Sequence, residues 1–203
     1  MKRVLFIGAH ADDFESGAAG LFLKLSGKAE CFHIAFSACL EQPGNENCLQ
    51  EFQESMKALG IPKDRFMLFD MPNTKYPENA ARIREILEEN RGPFNPDVIV
   101  THDLKNLHQD HRCVTEQVLR VFKTQSILMY EDLKSTPHFT PNLIVSLTKE
   151  QIERKIKALE CYKSQFRRYY HDMEYVKSVA RVRGKRINAE FGEGFNIYQY
   201  AYV

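Results

Sequence analysis

The chain has 203 residues, 28 Lys and Arg against 27 Asp and Glu, and no Trp; this suits one domain with its own core, since a chain of this size buries roughly 70% of its unfolded surface. Hydrophobic residues at 43% and charged residues at 27% exclude disorder and collagen-like repeats, and a net charge of +1 gives no global pull toward nucleic acid or an anionic membrane. No apolar run approaches the ~20 residues of a membrane span, and residues 5–9 are too short a core for a signal peptide, so a cytoplasmic protein with residues 1–203 in a single domain is expected.

Residues 3–9 (RVLFIGA) form a continuous apolar run, the pattern of a strand buried on both faces of a parallel sheet. Small residues follow from 16 to 20, then a helical stretch, 21–25, that stops at Gly27. Residues 30–37 read as a second strand. After a loop with Pro43 and Gly44, residues 48–59 repeat at helical spacing and end at Gly60, a C-terminal stop. Strands are predicted over 65–70, 96–101 and 126–130, with helices over 77–90 and 110–123 between them. This strand–helix alternation predicts an α/β, Rossmann-like three-layer sandwich with a mostly parallel sheet. Beyond Tyr130 the pattern changes to a short strand at 143–147, a long helix at 149–163, a charged and Tyr-rich stretch at 167–186, and a closing strand at 195–203. The five cysteines are widely spaced with no C-x-x-C pair, so a zinc knuckle or redox dithiol is not expected; they read as reduced, mostly packed side chains.

Two short clusters carry the chemistry. His10-Ala11-Asp12-Asp13-Phe14-Glu15 follows the first strand directly, and His108-Gln109-Asp110-His111 follows the fourth. Each alone has a plain explanation, since acidic loop residues often cap the next helix. Together they lie at the carboxyl ends of two predicted central strands, the edge where doubly wound folds bind ligands. Two imidazoles and a carboxylate converging there supply the ligands of a catalytic metal with an open position for water. There is no G-x-G-x-x-G after the first strand and no P-loop. There is also no second carboxylate-rich cluster of the kind a two-metal phosphatase needs.

AHADDFESGAAG resembles the A-H-P-D-D-x-E-x-G-x-x-G signature of the LmbE/PIG-L-like metal-dependent deacetylases, which hydrolyse the N-acetyl group of N-acetylglucosamine-type sugars. HQDH resembles that family's H-x-D-H. Lys157-Ala158-Leu159 with Ser164-Gln165, and Arg181 to Gly184 with Gly192 to Phe195, are similar to its later segments. The resemblance implies a Zn²⁺ enzyme (Fe²⁺ or another divalent ion also suits such donors) with His10, Asp13 and His111 as ligands and Asp12 as general base. It further implies His108 as oxyanion stabiliser or acid, its imidazole held by Asp110. Glu15 is assigned to a loop backbone or a substrate hydroxyl, and Asn106, Arg183 and Glu193 to the substrate side.

Three positions depart from the family pattern: Ala11 replaces a Pro, Cys48 falls where many relatives carry a substrate-binding Arg, and Asn106 falls where some place a Tyr. Substrate identity therefore does not transfer. The expected partner is a small N-acetylamino sugar or nucleotide sugar, with no nucleic acid and no membrane span; a homo-oligomer is left open. Metal-dependent hydrolysis of another amide or ester, and a non-catalytic sugar- or metal-binding module, are the competing readings. Of the remaining candidates, His33 reads as a packed strand residue, and His138 and His171 as surface residues. His102-Asp103 reads as support for the metal site. The run 167–170 (RRYY) reads as a solvated helix face or a sugar-phosphate contact. Arg181, Arg183 and Lys185 read as a basic pocket rim for an anionic substrate.

Overall fold

The structure, a computed structural model, describes residues 2–166 and 171–201. The run 167–170 falls outside the described residues. The elements are β1 (Arg3–His10), α1 (Asp13–Leu25), β2 (Glu30–Ser37), α2 (Cys48–Leu59), β3 (Phe66–Leu68), α3 (Ala80–Phe94), β4 (Val98–His102), α4 (Gln109–Val121), β5 (Ser126–Tyr130), β6 (Leu143–Leu147), α5 (Lys149–Leu159), α6 (Met173–Lys185) and β7 (Phe191–Gln199). They build one sheet in the order β3-β2-β1-β4-β5-β7-β6. β1 to β5 run parallel, and β7 is antiparallel to both β5 and β6. The fold is thus the expected α/β sandwich. Among the described residues no helix is long and apolar enough to cross a membrane.

β1 explains the layers. Its alternate side chains enter two separate cores: Val4 and Phe6 pack with α1 and α2, while Leu5, Ile7 and Ala9 pack with Ile83, Ile86 and Leu87 of α3 and Val114 and Val118 of α4. Each large side chain buried this way contributes about 1.5–3 kcal/mol. Chain order reverses direction at β1, with β2 on one side and β4 on the other. That switch point opens a crevice at the carboxyl ends of β1 and β4.

Where the structure departs from the expected boundaries, close approach is the reason. The small residues 16–20 do not precede a helix; they lie inside α1, which begins at Asp13. A Cβ at Gly17 would overlap the Tyr130 ring, and one at Gly20 would lie 2.7 Å from the Glu193 carboxylate. β7 starts at Phe191 rather than 195, because Gly192 and Gly194 belong to the strand and let α6 and the 139–141 segment approach it. β3 is only three residues long. α5 stops at Leu159, after starting in a capping box between Thr148 and Gln151.

A buried ion pair ties the C-terminal half to α1. Lys155 Nζ lies 2.6 Å from Glu193 Oε1 and donates to Ser16 O at 2.7 Å. The same carboxylate accepts from the backbone N–H groups of Gly20 and Leu21 at 2.8 and 2.7 Å. Glu193, expected from sequence on the substrate side, is thus tied internally. Replacing one member leaves the other charge buried and unpaired, so Lys155→Met is expected to cost about 3 kcal/mol or more, seen as a Tm lower by ~6 °C or more. An unchanged Tm would show that the pair carries no stability.

His33 packs as expected. It is stacked on Phe14 at 4.4 Å, its Nδ1 lies 3.3 Å from Phe6 O, and burial pushes its pKa down to about 4. Below pH 6.5 the unfolded chain binds a proton there that the folded chain refuses until about pH 4. Stability therefore falls as pH drops through this window, by about 3 kcal/mol from this residue. Urea unfolding should show a shallower acid loss for His33→Leu than for the parent; parallel losses would contradict the assignment.

Candidate metal centre

Both sequence clusters meet at the switch point. His10 ends β1, and the 103–108 loop carries the chain from β4 into α4, whose first turn holds Asp110 and His111. Asp13 is the first residue of α1, where the helix dipole favours its negative charge. Its Oδ2 accepts from the His10 backbone N–H at 2.6 Å.

Three electron-pair donors face one another here. His10 Nδ1 lies 3.1 Å from His111 Nε2, and Asp13 Oδ2 lies 3.5 Å from each of them. The proton positions follow from the outer partners. His10 Nε2 faces Asp110 Oδ2 at 3.3 Å, and His111 Nδ1 faces Asp132 Oδ2 at 3.0 Å. Carboxylates accept, so with a cation among the inner atoms each imidazole would keep its proton on the outer nitrogen and present the inner nitrogen as a donor. Donors 2.0–2.1 Å from a tetrahedral Zn²⁺ are spaced by about 3.3 Å. The triangle of 3.1, 3.5 and 3.5 Å thus fits one face of such a site. Donor atoms of His10, His108 and His111 also lie within 4.8 Å of one another, as do those of Asp13, His102 and His111.

The electrostatics favour cations. Burial pushes Asp13 up, but His111, His102 and His10 outweigh it and hold the carboxyl well below its usual range. Burial pushes His10 down, yet its bonds to Asp110 and Asp13 raise it well above an ordinary imidazole. At Asp132, too, burial pushes up and His111 outweighs it, holding the carboxyl low. His102 differs: its Nε2 lies 3.0 Å from the Ala9 N–H, which it accepts, so its lone pair is already engaged, and burial lowers it to about 4. Its ring stacks on His111 at 4.0 Å, and His108 stacks on the other side at 4.4 Å. His111 is therefore held between two rings.

The donors open into a cavity of about 210 Å³, walled in addition by Asp12, Cys39, Asn45, Cys48, Thr74, Lys134, Gln165 and His171. Asp12 occupies the N-cap position of α1, yet its side chain makes no cap bond; the plain explanation of this carboxylate does not hold. Burial and the neighbouring Asp13 push its pKa up, against His171 and His10. His108 Nδ1 accepts from the Asp110 N–H at 3.2 Å, so its proton lies on Nε2, and burial lowers it to about 4. Cys48 lines the cavity with a thiol that burial pushes far up.

Several of the expected site residues have other partners. The Asp110 carboxylate does not hold His108; it takes His10 Nε2 and the N–H groups of Thr74 and Tyr76, at 2.7 and 3.4 Å. Thr74 adopts φ 61 to make its contact. Glu15 is fully buried and bonded to the hydroxyls of Ser55 and Tyr162, both at 2.6 Å, with its pKa raised to about 8 by burial. Asn106 is also fully buried. It donates to Asp132 at 3.0 Å, accepts the His108 N–H at 2.8 Å, and its Nδ2 lies 3.0 Å from His111 Nδ1, so it braces the site. Arg183 is held in a fork by Glu131 at 2.9 and 2.6 Å, and the Arg181 guanidinium lies over Phe191. Neither they nor Lys185 line the cavity. Asp103 binds the Lys105 N–H and Asn196, apart from the donors. His171 is not on the surface but buried in the cavity wall, whereas His138 is exposed. Asp132 escaped sequence reading, although it follows β5 by two residues and thus shares the carboxyl edge.

Residues 5–122 match the family model described as PIG-L: GlcNAc-PI de-N-acetylase. The uncharacterized deacetylase YaiS of Escherichia coli (strain K12) is 25% identical over 171 residues, covering 80% of this chain and 91% of that protein. The conserved protein TT1542 of Thermus thermophilus superposes with a TM-score of 0.80 at 18% identity, over 100% of this chain and 98% of that one. The N,N'-diacetylchitobiose deacetylase of Pyrococcus horikoshii does so with 0.74 at 21% identity, over 98% and 86%. With more than half of its length matched by that model, and with the solved structures sharing its fold, this chain belongs to the PIG-L, GlcNAc-PI de-N-acetylase, family.

Proposed function

We propose that the protein is a divalent-metal-dependent N-deacetylase acting on an N-acetylglucosamine-type sugar or sugar conjugate, with His10, Asp13 and His111 holding the metal. The observation that carries this reading is the triangle of facing donor atoms, which brings two imidazole nitrogens and a carboxylate oxygen to 3.1–3.5 Å of one another. Family membership and the deacetylase names of the relatives agree with it. Zn²⁺ is the first candidate and Fe²⁺ the second. Once bound, such an ion polarises an amide carbonyl and acidifies water.

The chain's own residues supply the rest. Asp12 takes the proton of the attacking water, a task suited to a carboxylate whose pKa is raised by burial. His108 is neutral and donates from Nε2 to the carbonyl oxygen as negative charge builds there. The C–N bond then breaks, Asp12 returns its proton to the nitrogen, and acetate and a free amine leave. Asp110 and Asp132 fix the tautomers of His10 and His111. Arg183 is bound to Glu131 and does not line the cavity, so it gives no support to the anionic substrate expected from a basic rim.

Acetate release from N-acetyl sugars should stop on chelation and return with Zn²⁺ or Fe²⁺. Chelator-insensitive release would exclude the metal; metal binding without release from any amide would favour a binding module. Asp12→Asn should keep its metal and lose about 10²–10⁴-fold in kcat; full activity would remove Asp12 from the mechanism. Asp132→Asn should weaken metal affinity about 10–100-fold while leaving most of kcat at saturating metal, read by titration with a chromophoric chelator. Unchanged affinity would rule out this outer-partner role.

A further inference from the structure

The segment after β3 holds one side chain on a backbone that its residue type disfavours. Thr74 adopts φ 61, a left-handed conformation that Gly and Asn accept readily and a β-branched residue rarely does. Asn73, beside it, does not take the left-handed conformation. Both main-chain groups of Thr74 are engaged by the His108–His111 cluster. Its N–H donates to Asp110 Oδ2 at 2.7 Å, and its carbonyl accepts from Gln109 Nε2 at 2.6 Å. This clamp uses the main chain alone, so Gly or Asn at this position would supply it with less strain. The side chain has a different place: Thr74 forms part of the cavity wall that also holds His10 and His108. Among the described residues Thr74 bonds only through its main chain, and its Oγ1 makes no hydrogen bond.

We propose that Thr74 Oγ1 is a specificity contact, bonding a ring hydroxyl of the sugar that enters the cavity. The inference rests on the deacetylase reading and concerns a part of the substrate other than the amide that is cut. The surroundings select a neutral group. The N–H groups that an anion would seek here are spent on carboxylates, Asn73 on Glu41 at 2.6 Å and Thr74 on Asp110. A phosphate or carboxylate would meet those two negative charges. A sugar hydroxyl both donates and accepts, as the Thr hydroxyl does. Gln109 and Asp110 belong to the same first turn of α4 as His111, so the clamp holds Oγ1 in register with the metal donors.

Thr74→Val keeps the branched shape and the backbone strain and removes the hydroxyl; Thr74→Ser keeps the hydroxyl. With N-acetylglucosamine as substrate, the Val variant is expected to raise KM about fivefold with kcat within about twofold, and the Ser variant to keep both within about twofold of the parent. Among the monodeoxy analogues of N-acetylglucosamine, one should lose about fivefold in kcat/KM with the parent and nothing further with the Val variant. An unchanged KM in the Val variant, a Ser variant as weak as the Val variant, or additive losses for every analogue would overturn the proposal. If the Val variant loses Zn²⁺ or does not fold, Thr74→Gly, which suits this backbone, takes its place under the same criteria. Calorimetric binding of N-acetylglucosamine to the Zn²⁺-loaded parent, Val and Ser proteins gives a readout without turnover. A parent that binds the sugar and releases no acetate removes the deacetylase reading, and the contact is then decided by binding: about fivefold weaker in the Val variant alone supports it, and equal binding overturns it. A parent that neither binds nor hydrolyses the sugar overturns both.

Discussion

The carboxyl edge of the sheet is arranged around one atom, Asp13 Oδ2. It accepts the His10 backbone N–H at 2.6 Å and lies 3.3–3.5 Å from the nearest nitrogens of His10, His102 and His111. A buried carboxylate needs compensating charge or hydrogen bonds. Here much of that compensation is imidazole, contributed by three separate parts of the chain: the end of β1, the end of β4 and the first turn of α4. The arrangement depends on β1 pairing directly with β4, Phe6 opposite Val100, so the sheet topology and the donor geometry are one constraint. A change of register between these strands would move His10 and His102 relative to each other and dissolve the cluster.

The second layer of carboxylates decides what the first layer can do. Asp110 and Asp132 stand against the outer nitrogens of His10 and His111, so a cation among the inner atoms would leave the imidazole protons outward and the inner nitrogens free to bind it. Three electron-rich atoms held together in a buried place repel unless a positive charge stands among them. The cost of assembling them is met by the fold: Thr74 at φ 61, a left-handed conformation rare for a β-branched residue, gives its N–H to Asp110 at 2.7 Å. Asn106 is committed to Asp132 and to the His108 N–H. Strain and buried polar groups concentrated this way at one edge are what a pre-organised cation site requires.

The sheet and the two clusters were legible because each rests on local pattern. Residues 3–9 read as a doubly buried strand, and they are one. His10 and His108-x-Asp-His111 could be placed at strand ends from the alternation alone. What could not be read was which partner each polar side chain bonds. Glu193 next to two glycines reads as a pocket residue, yet its partners are Lys155 and the backbone of Gly20 and Leu21, distant in sequence. Arg183 is taken by Glu131 and Glu15 by Ser55 and Tyr162, pairings that no periodicity encodes. Asp110 lies in the right motif, but its carboxylate turns to His10 because Thr74 and Tyr76, from the loop after β3, present their N–H groups there. Asp132 and His171 stand outside any motif, and only the shared edge and the return of the chain after α5 bring them in.

That return also divides the labour of the site. The donor triangle, Asp12 and His108 all fall within residues 5–122, the segment matched by the family model. Lys134, Leu159, Gln165 and His171, which complete the cavity, come from beyond it. Gln165 is fixed there by Asn45, at 2.9 Å, and Asn45 by the carbonyl of Cys39, at 3.1 Å, so the later wall is keyed onto the earlier loop through amide bonds. The family match therefore covers the donor triangle, whereas the shape of the cavity is set where the two segments meet. The place of the usual Arg is filled by Cys48, a neutral side chain in the same wall. The described wall offers amides, imidazole and lysine rather than a guanidinium at that position, and this separates the question of what bond is cut from the question of which molecule carries it.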